Sequence, residues 1–351
     1  MRVKLYIVYN IVTQYASSIF ARLLLNKNNI LFNKDGAMRN RCAKIRVFER
    51  VIKIPWRIAD CGGLGWAMGG ACGQILFRDC GVDADWLVPI RMFLAGLMVL
   101  AIAKLCGKPI GAVWRDKASI FPLLVFALIG TAMCQYSYYA AIQYTNVAFA
   151  TVMTYMSPIV ILLFVLVHSR RLPKLYELTS VILVAVGATL CATHGDLSAL
   201  AVPPIGLAWG LISAVCFAFY TLCPRRLMQK FNVMSIVGWG MTIGGGMMLL
   251  IFRPWTRQGV QYSVKLFVLM AVVIVFGTIL AFNLYQTGCS IVGSMVGGVL
   301  SSVEPVASVI ISAFLLHTSF VVQDFAGFAL ILITIPIMTL GDYREVRAQG
   351  K

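Results

Sequence analysis

The chain has 351 residues, 60% of them hydrophobic and only 12% charged, with a mean hydropathy of +0.85. That balance excludes a soluble globule of this size and predicts an all-α integral membrane protein. The formal charge of +17 does not mark a nucleic-acid binder, because 12 of the 30 Lys and Arg lie in residues 1 to 57 and most of the others sit in short loops, as membrane orientation requires.

Residues 1 to 57 form a basic N-terminal segment whose apolar runs are interrupted by polar residues. Met38 opens a second basic lead, MRNRCAKIRVFERVIKIPWRIAD, and is an alternative start. A membrane span needs about 20 apolar residues. On that scale, spans are expected at Ile58 to Phe77, Trp86 to Leu105, Ser119 to Tyr139, Val147 to His168 and Leu175 to Thr193. After the junction DLSALAVPP, five more are expected at Ile205 to Cys223, Val233 to Phe252, Lys265 to Tyr285, Val292 to His317 and Val321 to Leu340. The first span is crowded with glycines, which let helices approach closely. The second carries Arg91 a turn or two inside its start, where it can snorkel to the interface or partner a buried carboxylate.

The chain repeats itself. Sliding Leu128 to Val160 over Val275 to Ala307, a shift of 147 residues without a gap, superposes Gly130 on Gly277, Thr131 on Thr278, Tyr138 on Tyr285, Val152 on Val299 and Pro158 on Pro305. Two five-helix halves, residues 58–195 and 205–341, are the domains this implies, followed by a tail at 342–351. Lys104, Lys108, Arg115, Lys117, Arg170, Arg171, Lys174, Arg225, Arg226 and Lys230 fall on the side of the basic N-terminus, which is therefore expected to be cytoplasmic together with the C-terminus. Five spans is an odd number, so the second half enters from the opposite face. That is the inverted topology of many alternating-access transporters.

Glu304 is the first functional candidate, with no other charge between Lys265 and Asp324. Ionising a carboxylate inside a span is costly unless it meets a partner or water, so such a residue is read as functional by default. Glu304 shares a helical face with Ser301, and the matching face of span four carries Thr154 and Ser157. Spans three and eight offer Tyr136, Tyr139 and Gln143 against Asn283 and Gln286, polar groups of the kind that line a site between repeats. Pro158 and Pro305 each remove a backbone donor and can kink their helices. Trp66 lies well inside span one and can wall a central cavity, whereas Trp209 in the matching GLAW start of span six lies nearer the interface. The ten cysteines include no CxxC pair and the three histidines lie near span ends, so no metal, cofactor or hydrolytic centre is expected.

With the G-L-x-W starts of both halves, Arg91-Met92-Phe93-Leu94-Ala95, Ser157-Pro158 and Glu304-Pro305, the chain resembles the EamA family of the drug/metabolite transporter superfamily over about Ala59 to Gly341. The family commonly ends spans four and nine with Gly-Glu. This chain reads HSRRL and LHTSF there, so those glutamates have no counterpart. The resemblance implies a multi-pass exporter of small metabolites, such as amino acids or related compounds, in the cytoplasmic membrane. Its expected partners are a small-molecule substrate and the lipid bilayer, with no nucleic acid, and the drive is either the solute gradient or a coupled ion, for which Glu304 is the only obvious proton carrier. An intramembrane enzyme and a non-transporting membrane scaffold are the competing readings.

Overall fold

The computed structural model describes residues 62–170, 172–196, 200–292 and 303–349, and among these every regular element is helical. The basic N-terminal segment, the Met38 start, Ser301 and most of the expected start of span nine lie outside the described residues. The elements are α1 (62–79), α2 (Ala84–Leu105), α3 (Lys117–Tyr144), α4 (Val147–Thr154), α5 (Ser157–Ser169), α6 (Leu175–Thr193), α7 (Pro204–Leu222), α8 (Val233–Phe252), α9 (Val264–Val292), α10 (Val303–Phe314) and α11 (Val322–Gln349). Seven helical stretches are long and apolar enough to cross a membrane, and two shorter apolar ones, Glu304–Phe314 and Val322–Met338, accompany them. The first expected span, helical from residue 62, is not among the seven.

The packing is that of a protein whose solvent is lipid. Phe121, Phe164 and Leu250 stand 74%, 64% and 73% exposed, while Arg91, Gln135, Glu177, Glu304 and Asp324 are buried. Large apolar side chains left exposed while charged ones are buried are what helices that face lipid require. Between helices the close approaches use glycine. Gly96 meets the Thr242 backbone and Gly245 meets Phe93, which pairs α2 with α8 in antiparallel fashion. Gly69 and Gly277 bring α1 and α9 together backbone to backbone.

The repeated segment has a structural counterpart. In α3, Phe126–Met133 winds as π-helix, and in α9 Val275–Leu280 does the same. Thr131 Oγ1 donates to Phe126 O at 3.0 Å, and Thr278 Oγ1 donates to Val273 O at 2.8 Å, so each bulge is bridged by a threonine reaching five residues back. These are two of the positions the 147-residue shift superposes. π-Bulges of this type concentrate at functional sites.

One of the two prolines singled out from the sequence stands at a break between helices. α4 stops at Thr154 and α5 begins at Ser157 with Pro158 at its second position, where a proline is tolerated. Pro305 stands in the first turn of α10.

At one end of the bundle, a clasp joins the α1–α2 loop to the α8–α9 loop. Arg257 bonds Asp83 at 3.1 Å and also pairs with Asp85, Lys265 bonds Asp79 at 2.6 Å, and Gln261 N donates to Cys80 O at 3.0 Å. Hydrogen bonds from Arg78 and then Lys265 hold the Asp79 carboxyl down at about 2. A depressed folded value contributes stability that is present above the unfolded value of 3.8 and is lost as pH falls through about 2. Lys265→Ala should therefore lower the melting temperature only slightly at neutral pH, since exposed pairs are worth about 0–1 kcal/mol. The difference from wild type should shrink as pH drops from 4 towards 2 in detergent melts, and a difference that persists there would contradict the assignment.

Candidate functional site

Three carboxylates are buried among the described residues, and two of them have structural duties. Glu177 accepts from Lys174 N at 2.8 Å and caps the start of α6. Asp324 accepts from Val321 N at 3.1 Å at the start of α11 and meets His194 Nδ1 at 2.6 Å. Glu304 is different. It sits in the first turn of α10, 6% exposed, and among the described residues it receives one long hydrogen bond, from Tyr155 Oη at 3.2 Å. The helix N-terminus offers a favourable field for a carboxylate, but no cation among the described residues pairs with it.

From Glu304 a line of polar contacts crosses between the halves. Ser308, one turn along α10, accepts from Thr151 Oγ1 in α4 at 3.3 Å, and Thr151 bonds Tyr138 Oη in α3 at 2.9 Å. Beside Tyr138 lies Tyr139, whose ring carries the Arg91 guanidinium 4.0 Å from its centroid. Arg91 is fully buried rather than snorkelling, which corrects that expectation: α2 places it two turns inside the helix, where α3 and α9 enclose it. Its Nη1 donates to Thr278 Oγ1 at 2.9 Å and its Nη2 to Gln135 Oε1. It does not partner Glu304.

An aromatic box adjoins this line. Trp66 packs on Tyr285 at 4.8 Å, on Phe282 at 5.2 Å and on Phe217 at 6.2 Å, and Phe217 reaches Tyr155 at 6.4 Å. Trp66 Nε1 is buried without a hydrogen-bond partner among the described residues, as are Asn283 Oδ1 and Gln286 Nε2. Asn283 Nδ2 donates to Ile279 O at 2.8 Å. Buried polar atoms are normally satisfied, which sets these three apart from the other buried polar atoms around them.

The other expected residues are placed elsewhere or in supporting positions. Tyr136 donates to Asp85 at 2.7 Å, stacks on Phe252 and packs edge-on against Trp209, so it belongs to the clasp end. Gln143 Oε1 accepts from Ala84 N at 2.7 Å and anchors the start of α2. Thr154 donates to Ala150 O at 2.9 Å and bonds Ser213 of α7. Ser157 is buried at the head of α5. Gln135, Thr151 and Tyr155 enter the polar line although no sequence pattern marks them as site residues, whereas Ser308 is legible one turn from Glu304 on the same helical face and Thr278 as one of the repeat identities. No group of three His, Cys, Asp or Glu able to hold a metal occurs among the described residues. A separate cleft of about 250 Å³ opens at the clasp end of the bundle, walled by Tyr144, Asn146, Phe149, His194 and Phe320.

The EamA-like transporter family matches the chain twice, over residues 59–193 and 204–340. The chain is 31% identical over 285 residues to an uncharacterized inner membrane transporter, YicL, of Salmonella typhimurium, covering 81% of this chain and 94% of that protein. It is 23% identical to an uncharacterized transporter of Archaeoglobus fulgidus, with 75% and 90% covered. It is 24% identical to a probable sugar phosphate/phosphate translocator of Arabidopsis thaliana, with 68% and 59% covered. A solved crystal structure superposes with a TM-score of 0.59 at 16% identity over 82% of this chain and 96% of that one, which is a likeness of fold alone. With the family matched in both halves and apolar helices throughout, this chain is a multi-pass membrane protein that belongs to the EamA-like transporter family.

Proposed function

We propose that the protein exports a small metabolite, such as an amino acid or a related compound, by alternating access between two inverted five-helix repeats. The observation that carries this reading is Glu304: a carboxylate inside the bundle, in the first turn of a helix, with a single long hydrogen bond and no cation among the described residues. Helix termini directed at a site between repeats are how transporters of this architecture hold polar solutes. The Thr-bridged bulges of α3 and α9, and the antiparallel α2–α8 pair, support an inverted relation between the halves. Trp66, Tyr139, Asn283, Gln286 and Glu304 are the residues assigned to the solute, and Pro158 and Pro305 to the breaks that let α5 and α10 tilt. A proton carried on Glu304 is the proposed coupling ion. The proposed location is the cytoplasmic membrane; the Salmonella relative is named as an inner membrane transporter.

Purified protein in sealed vesicles tests this directly. Vesicles loaded with a broad metabolite panel should release one class of small polar solute faster than protein-free vesicles, and no accelerated release from any member would overturn the reading. Topology gives a second expected result. A C-terminal reporter should read cytoplasmic, because ten spans return the chain to the side of its basic start, and an external signal would refute ten spans.

A further inference from the structure

Arg91 is a buried cation for which the described residues supply no negative charge. Its three contacts among them are all neutral: the Thr278 hydroxyl oxygen, the Gln135 amide oxygen and the Tyr139 ring. The Thr278 proton is already committed to Val273 O, so the hydroxyl presents a lone pair to the guanidinium. Gln135 likewise turns its oxygen, not its nitrogen, towards Nη2. The surroundings are therefore arranged for a charged guanidinium, yet none of them cancels the charge. A guanidinium has five N–H donors in a fork that fits carboxylate or phosphate, and two hydrogen bonds leave donors unused. Nε is buried without a partner among the described residues.

The second half of the chain serves as an internal control. The shift of 147 that aligns the two bulges sets Gly238 opposite Arg91. With the halves exchanged, the Thr131 bulge of the first half forms with the same five-back hydrogen bond, packed against Gly240 of α8 in the second half and with no arginine at that place. Building a Thr-bridged bulge against the facing helix thus needs no cation. An unbalanced buried charge that the fold does not require points to a partner arriving from outside the chain.

We propose that Arg91 receives an anionic group of the transported solute, a carboxylate or a phosphate, within the polar line that ends at Glu304. This rests on the transport reading and narrows it. Solutes bearing only positive charge are excluded, and a neutral amide should be a poor substitute for the acid of the same skeleton.

The test uses the full-length protein purified in detergent, melted with sodium propionate, propionamide, methyl phosphate or sodium chloride at matched ionic strength. Propionate or methyl phosphate should raise the melting temperature saturably while propionamide and chloride do not. Whichever of the two acids acts distinguishes carboxylate from phosphate. Arg91→Gln, which keeps an amide N–H donor without the charge, should melt cooperatively and require at least tenfold more anion for the same shift, with Arg91→Lys intermediate. Equal shifts in Arg91→Gln, or no shift with either anion in the wild type, would overturn the proposal. Should Arg91→Gln fail to fold, the wild-type comparison of propionate with propionamide decides. Failure here alongside solute release from vesicles removes only the anion assignment. An Arg91-dependent anion shift without any release removes the transport reading and leaves the site.

Discussion

Glu304→Gln is expected to abolish concentrative export while leaving solute exchange down its own gradient largely intact. Glutamine keeps the size of the side chain and its hydrogen bond from Tyr155 but removes ionisation. If Glu304 carries the coupled proton, only the step that needs protonation and release is lost, and uphill movement should fall by at least about tenfold, the equivalent of roughly 1.4 kcal/mol. If Glu304 instead braces α10 or contacts solute alone, both modes should decline together and Glu304→Ala should be the worse variant. Paired assays in vesicles, with and without an imposed pH gradient, read the difference. Unchanged uphill export in Glu304→Gln would eliminate the proton carrier.

Gly277→Leu should prevent the bundle from assembling. A Cβ at Gly277 would lie 2.6 Å from the Gly69 Cα, and one at Gly69 would lie 2.7 Å from the Gly277 Cα, so backbone stands against backbone and neither side can turn away. Overpacking in a rigid interior typically costs about 1–3 kcal/mol, and here α1 would have to leave α9 altogether. The π-bulge that positions Thr278 for Arg91 begins two residues before Gly277, so the polar line should be lost with the contact. Gly111→Leu is the control, since a Cβ there meets nothing within 4 Å. Size-exclusion profiles and detergent melts of the two variants should separate sharply, with Gly111→Leu close to wild type. A monodisperse Gly277→Leu with an unchanged melt would show that the α1–α9 contact does not hold the fold.

Much of this architecture is readable because membranes impose simple rules. Runs of apolar residues, basic loops on alternate sides and a 147-residue repeat carry the helices and their pairing in halves. Glu304 stands out for the same reason, as a lone charge in an apolar run. The polar line is less legible. Hydroxyls such as Thr151 and Ser308 look like ordinary small packing residues until the fold sets them beside Tyr138, and Tyr155 is hidden in an apolar stretch where helix α4 breaks. Spacing along one helix cannot tell that Tyr136 and Gln143 turn to the clasp end while Tyr139, on the same face by periodicity, meets Arg91. For Arg91, nearness to a span end suggests an interfacial place. Its burial depends on α3 and α9 closing over it, a long-range fact that no local pattern carries.

The most direct test of the central claim is the metabolite profile of cells and medium with the protein present, absent and replaced by Glu304→Gln. The account predicts one small solute with an anionic group that is enriched in the medium and depleted in the cells only when the wild-type protein is present. Profiles that do not differ, or a solute that accumulates inside the cells instead, would contradict it.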